Sequence, residues 1–238
     1  MKVKAASETQ SLWQLFYSAI AKKNADRAKL EQVARMCHLG STEAANAISE
    51  FERWAQDHSK GSPGVDNILV IVKFNVFKAL VSNGISIGLP VQDHLDDDAL
   101  SPFTNPDHPF IHTKLMPPSL RPTKLQKELV HHPWIDVLPI PRMRDNLLLA
   151  GESYDDMALC MDCVGCYGNT PARTGIIIWS EPWDPSGWEV TEHFFKNWAW
   201  TIKGCNELLV ATNFWRQRRG ERPLKFEQLD MDTNSNAN

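Results

Sequence analysis

Between residues 118 and 146 the chain reads PSLRPTKLQKELVHHPWIDVLPIPRMRDN, and between 179 and 198 it reads WSEPWDPSGWEVTEHFFKNW. These two stretches constrain the fold more than any apolar run does. A buried Trp or His needs a partner for its ring N–H, and a buried Arg or Asp needs pairing or hydrogen bonds. The block therefore demands either a tightly specified polar core or a binding site.

The chain has 238 residues, 42% of them hydrophobic and 23% charged, which suits a large globular domain with or without a small helical lobe. Its net charge of −4 disfavours autonomous nucleic-acid binding, which needs a clear basic excess. The N-terminus, MKVKAASETQ, has no apolar core of a signal peptide. ILVIVKFNVFKALV at 68–81 is too short to span a bilayer and carries Lys73, Asn75 and Lys78. A soluble intracellular protein, nuclear or cytoplasmic, is expected, with no membrane partner. Five cysteines without a signal peptide fit free thiols in a reducing compartment.

Apolar periodicity predicts three helices within residues 1–65 and a strongly apolar helix from Asp66 to about Asn83, with Gly84 as its C-terminal glycine. Residues 86–118 hold six prolines and form a long irregular stretch. Thr123 and Gln126 make a capping box for a helix running to His132, stopped by Pro133. Short helices follow around 142–149 and at 154–164, the second capped by Ser153. GIIIW at 175–179 is the one convincing strand. Ser186 and Glu189 read as a second capping box, opening a helix faced by Val190, Phe194, Trp198 and Ile202. Gly204 separates it from a last helix near 205–218. The expected class is mainly α with little β. It divides into a helical prefix at 1–65, a domain at 66–224 and a disordered tail at 225–238.

Cys160, Cys163 and Cys166 form a C-x2-C-x2-C run whose thiolates could share a metal. With no second C-x2-C pair, and with the first two on one helix face, they read as buried thiols, and no cofactor is expected. His131 or His132, oriented by Asp136, would be the acid/base of an enzyme. No nucleophile elbow, H-E-x-x-H or phosphate loop accompanies them, so a structural role is preferred. Asp96 to Asp98, and Asp155 with Asp156, read as solvated or capping carboxylates. Arg216, Arg218, Arg219 and Arg222 form a basic cluster that would bind phosphate or an acidic partner, or pair locally with Glu221. HLGS at 38–41 resembles the turn of a helix-turn-helix, yet STEAANAISEFERW after it offers no cation before Arg53.

The segments FNVFKALVSNGISIGLP (74–90), SPF (101–103), PPSLRPTKLQ (117–126), HHPWIDVLPIPRMRDNLL (131–148), DDMALCMD (155–162), IIIWSEPWDPSGWEVTEHFFKNW (176–198) and LLVATNFWRQRRGERPL (208–224) stand in one order. Together they resemble a fungal domain of unknown function. That domain commonly lies C-terminal to the basic region and zipper of bZIP transcription factors, and also occurs alone. Cys160 falls within its pattern, whereas Cys163 and Cys166 are peculiar to this chain. The family's DNA-reading part is a Lys/Arg-rich helix running into leucine heptads, and residues 1–65 hold neither. The resemblance thus implies an accessory domain on a short helical prefix, without the DNA affinity of longer relatives.

The resulting expectation is a fungal regulatory protein, tied to control of a secondary-metabolite gene cluster, that binds a protein partner or an apolar small molecule. Its candidate binding residues are Trp134, Arg144, Asp145, Trp179, Trp183, Trp188, Arg216 and Arg219. The alternative is a small helical enzyme acting on an apolar metabolite, with His131 or His132 as acid/base. Convergence of these side chains on an open cavity would favour the enzyme or small-effector reading, and a sealed arrangement would count against it.

Overall fold

The computed structural model describes residues 65–89, 99–105, 116–164 and 174–226. The helices expected before residue 65, the helix-turn-helix-like turn, Asp96 to Asp98, Cys166 and the tail beyond 226 lie outside the described residues. Those described are mainly helical, with a single two-stranded antiparallel sheet among them.

Helix α1, Val65–Ser86, runs past the expected stop at Asn83. Asp66 sits inside its first turn, and Gly84 is helical. The end is a Schellman motif centred on Gly88 (φ 78°), with Leu89 N–H bonded to the Gly84 carbonyl and Gly88 N–H to that of Ile85. The glycine in the left-handed position is therefore four residues later than the sequence suggested. The Asn83 side chain donates to the carbonyls of Val137 and Pro182, both at 2.9 Å, and ties the helix end to the two motif stretches.

Helix α2, Lys124–Glu128, opens on the expected capping box: Gln126 N–H donates to Thr123 Oγ1 at 3.2 Å, and Thr123 N–H to Gln126 Oε1 at 2.9 Å. It ends well short of His132, because residues beyond Glu128 turn to other partners. Ser101 N–H takes the His131 carbonyl at 2.8 Å, and His132, preceding Pro133, is extended (φ −76°, ψ 139°). Helix α3, Pro141–Ala150, begins with proline at its first position and ends at Gly151 (φ 54°). Helix α4, Asp156–Val164, is capped by Asp155 rather than Ser153, with Ala158 N–H donating to Asp155 Oδ1 at 2.8 Å.

Strand β1, Ile176–Ile178, pairs antiparallel with β2, Trp188–Val190, in the register Ile176–Val190, Ile177–Glu189, Ile178–Trp188. The second strand replaces the helix expected from Ser186. Ile176 of β1 is buried and its neighbours are half-buried, so the strand needs its N–H and C=O groups paired, and among the described residues the 188–190 segment supplies that ladder. Asp184 caps the 3-10 turn Pro185–Gly187, while Thr191, not Ser186, opens helix α5, Glu192–Trp198. A 3-10 turn, Ala199–Ile202, and Gly204 (φ 73°) lead into helix α6, Asn206–Arg218, which packs on β2 and the 185–187 turn.

The main core gathers Leu138, Met143, Leu147, Leu159, Ile176, Trp188, Phe194 and Leu208, with α3, α4, α5, α6 and both strands contributing. A smaller cluster holds Ile87, Leu89, Phe103, Met116, Leu120 and Val137, and Leu80 of α1 packs against both. Among the described residues, no helix is long and apolar enough to cross a membrane.

Candidate functional site

The charged members of the first motif stretch converge in a buried network. Asp136, the last residue of the turn that follows Pro133, is fully buried and accepts three side-chain hydrogen bonds. His131 Nε2 and Gln126 Nε2 donate to its Oδ1 at 2.8 and 2.7 Å, and Ser101 Oγ donates to Oδ2 at 2.7 Å. His131 Nδ1 lies 2.6 Å from the Leu129 carbonyl. Both ring nitrogens thus face acceptors, the arrangement that suits the imidazolium. Burial opposes that charge, as does Arg144 nearby. The hydrogen bond and charge of Asp136, with the Leu129 carbonyl, outweigh them and raise the His131 pKa above its usual value.

Arg144, projecting from α3, is also fully buried. Its Nε donates to Gln126 Oε1 at 2.8 Å, Nη1 to the carbonyls of Ser119 (2.8 Å) and Leu138, and Nη2 to that of Arg121 at 2.7 Å. Burial lowers its pKa to about 10, against the pull of Asp136 and Asp145, so it stays charged at neutral pH. Gln126 serves at once as cap of α2 and as hub between Asp136 and Arg144. The His131 side chain is 4% exposed and that of Asp136 0%. Adjacent residues play other parts. His132 caps the 133–135 turn, its Nδ1 accepting Trp134 N–H at 3.1 Å, and Trp134 is half-buried against the main core. Asp145 is half-buried, and its Oδ1 is enclosed without a hydrogen-bond donor among the described residues.

The second stretch is bolted to the first through backbone carbonyls of its loop. Pro182 O accepts from Asn83 and from the indole N–H of Trp188, and Trp183 O accepts from Ser119 Oγ. Trp188 is fully buried. Trp179 and Trp183 are 41% and 37% exposed, so the tryptophans of this stretch divide between core and surface.

On that surface Trp179 stacks on Trp215 (centroids 5.1 Å apart, planes 15° apart), and Phe214 meets Trp215 edge-on at 5.2 Å. Arg219 lies over Trp179 and Arg218 over both Phe214 and Trp215. The assembly is anchored from below by Glu189 of β2, which is 1% exposed. Its carboxylate accepts the Trp179 indole N–H at 2.8 Å and both terminal nitrogens of Arg219 at 2.8 and 2.6 Å. That bidentate pair, and Glu221 beside it, raise the Arg219 pKa against a smaller effect of burial. Arg216 pairs with Glu221 at 3.1 Å and donates to the Arg222 carbonyl.

Cys163 is buried and Cys160 half-buried on α4, and Cys205 is buried before α6. Among the described residues, no three His, Cys, Asp or Glu side chains stand together as metal ligands. Asp162 instead joins α4 to α5, accepting the Trp198 indole N–H at 2.7 Å with His193 at 3.5 Å.

The structure thus brings His131, Asp136 and Arg144 together, and separately Trp179 with Arg219. Gln126, Ser101 and Ser119 were missed as network members, because their partners are distant in sequence. Glu189 was misread as a cap. The turn formers D-P-S-G ahead of W-E-V were the available hairpin signal.

Residues 105–209 match the family model described as a domain of unknown function, DUF3425. No curated protein and no solved structure matches the chain. The matched range contains the whole buried network except Ser101, and the motif loop with Glu189, so both features fall within the region that is similar to that domain.

Proposed function

We propose that this chain is a regulatory protein that acts by binding a protein partner through the surface built on Trp179, Trp183, Trp215 and Arg219. One observation carries the reading: the motif residues separate into a sealed charged network and an exposed, rigid aromatic–guanidinium face. Trp and Arg held in fixed geometry over a buried carboxylate lose little entropy on binding, and they dominate interface energetics. Resemblance to the bZIP-associated fungal domain supplies the context, transcription control within a secondary-metabolite gene cluster, and a nuclear site of action. The domain unit in this reading is 66–224, with Arg144 and Asp145 supporting it from within.

An enzyme using His131 has less support, since its ring is enclosed and both nitrogens already face protein acceptors. The test is photo-crosslinking in the native host, with a photoreactive residue at Trp183. A nuclear partner captured by the otherwise unaltered chain, and lost in Trp179→Ala, is the expected result. Cytosolic localisation with no nuclear partner would overturn the reading.

A further inference from the structure

Resting on that reading, we infer that the occupant of this face is an acidic amphipathic helix of the partner protein, lying along α6. The outer side of α6 presents Glu207, Val210, Phe214 and Arg218 at successive helical spacings, so they form one strip. Val210 is 71% and Phe214 48% exposed. The strip is roughly 16 Å long at 1.5 Å per residue, the length of about three turns of a facing helix. Trp215 and Trp179 widen its apolar part sideways. Such a strip suits a helix that lays apolar anchors at i, i+3 or i+4 spacing.

Charge decides the rest. Residues 214–226, FWRQRRGERPLKF, hold five cations against Glu221 alone, in a chain whose net charge is −4. Arg216 and Arg219 are committed to Glu221 and Glu189. Arg218, by contrast, lies over the rings of Phe214 and Trp215, at the C-terminal end of the strip, and Arg222 is exposed nearby. Carboxylates of the occupant meet those two guanidiniums while its apolar residues meet Phe214 and Val210. A nucleic acid fits less well. Trp179 and Trp215 already cover each other's ring faces, and Glu207 closes the other end of the strip with negative charge.

The experiment uses the full chain and a fluorescein-labelled synthetic helix with Leu at i, i+4 and i+7 and Asp or Glu elsewhere. Its controls are a scrambled peptide of equal composition and single-stranded DNA of equal charge. Anisotropy should show binding by the amphipathic peptide, at least about tenfold tighter than by either control. Val210→Glu and Arg218→Glu, both at exposed positions and checked for native melting, should each weaken it by about tenfold or more. Absence of binding, equal binding of the scrambled peptide or DNA, or unchanged affinity in both variants would overturn the inference. A Trp183 crosslink to a nuclear partner through a segment that is neither acidic nor helical would overturn it too, while leaving the regulatory reading in place.

Discussion

Asp136 and Arg144, both fully buried, are joined through the carboxamide of Gln126, whose Nε2 donates to the carboxylate and whose Oε1 accepts from the guanidinium. The same Oε1 also takes Thr123 N–H, so one side chain closes the α2 cap and orders both buried charges. Each charge is otherwise satisfied by neutral dipoles and by His131, which is how an interior tolerates ions.

Gln126→Met should therefore cost far more than a cap. Loss of its hydrogen bonds leaves both ions short of partners, and about 3 kcal/mol or more of stability should go. Thr123→Ala, which removes the cap alone, should cost about 1 kcal/mol. Urea unfolding of the two variants measures the difference. Equal costs would mean that Gln126 acts only on α2.

The raised His131 pKa makes stability depend on pH in a set direction. Its folded form holds the proton more tightly than the unfolded chain does. The contribution is complete below the unfolded value near 6.5 and is lost as pH rises through the folded one. Unfolding free energy should fall across that window, and His131→Asn should flatten this part of the profile. A wild-type profile that climbs there would contradict the assignment of both ring nitrogens as donors.

Two glycines mark close crossings. A Cβ at Gly175 would overlap the Asp162 carbonyl oxygen and come within 2.9 Å of Phe194 Cδ2; one at Gly187 would overlap Ser180 Oγ. Alanine at either should lower stability by about 1–3 kcal/mol or more, through overpacking. At Gly220 (φ 74°) nothing lies within 4 Å of a Cβ, and alanine should cost only the backbone strain, about 1 kcal/mol. Thermal melts of the three variants provide the comparison.

Arg219→Met should remove the bidentate partner of buried Glu189 and leave its carboxylate, among the described residues, with the Trp179 indole. A loss of about 2 kcal/mol is expected, together with loosening of the Trp179–Trp215 stack. Near-ultraviolet circular dichroism reports the stack. An unchanged aromatic signal would show that the rings hold without the guanidinium.

Burial raises the thiol pKa of Cys163 well above the usual range and that of Cys205 to about 12. Neither should react with iodoacetamide at pH 8 in the native protein, and both should in urea. Peptide mass spectrometry gives the site-by-site answer.

Short-range chemistry was legible in the chain. The Thr123–Gln126 box, the Ile176–Ile178 strand and Gly204 ahead of α6 all rest on contacts within a few residues. The mainly helical class follows from the same periodicities. Errors arose where two local signals competed. Ser186 and Glu189 have the spacing of a cap, yet β1 needed a partner strand; Gly84 could have ended α1, yet the helix runs on until Gly88 closes it, with Ile87 and Leu89 buried at its end.

By itself, then, the sequence determined which residues must be satisfied if buried: His131, Asp136, Arg144 and the tryptophans. Only the tertiary structure decided which of them are buried. Trp188 and Trp179 stand nine residues apart in one motif, and hairpin pairing sends the first into the core and leaves the second on the surface. Likewise Gln126 is chosen as the bridge because α2, α3 and the 133–136 turn meet at its amide. Such choices depend on where distant segments pack, and no local pattern of residues encodes that distance.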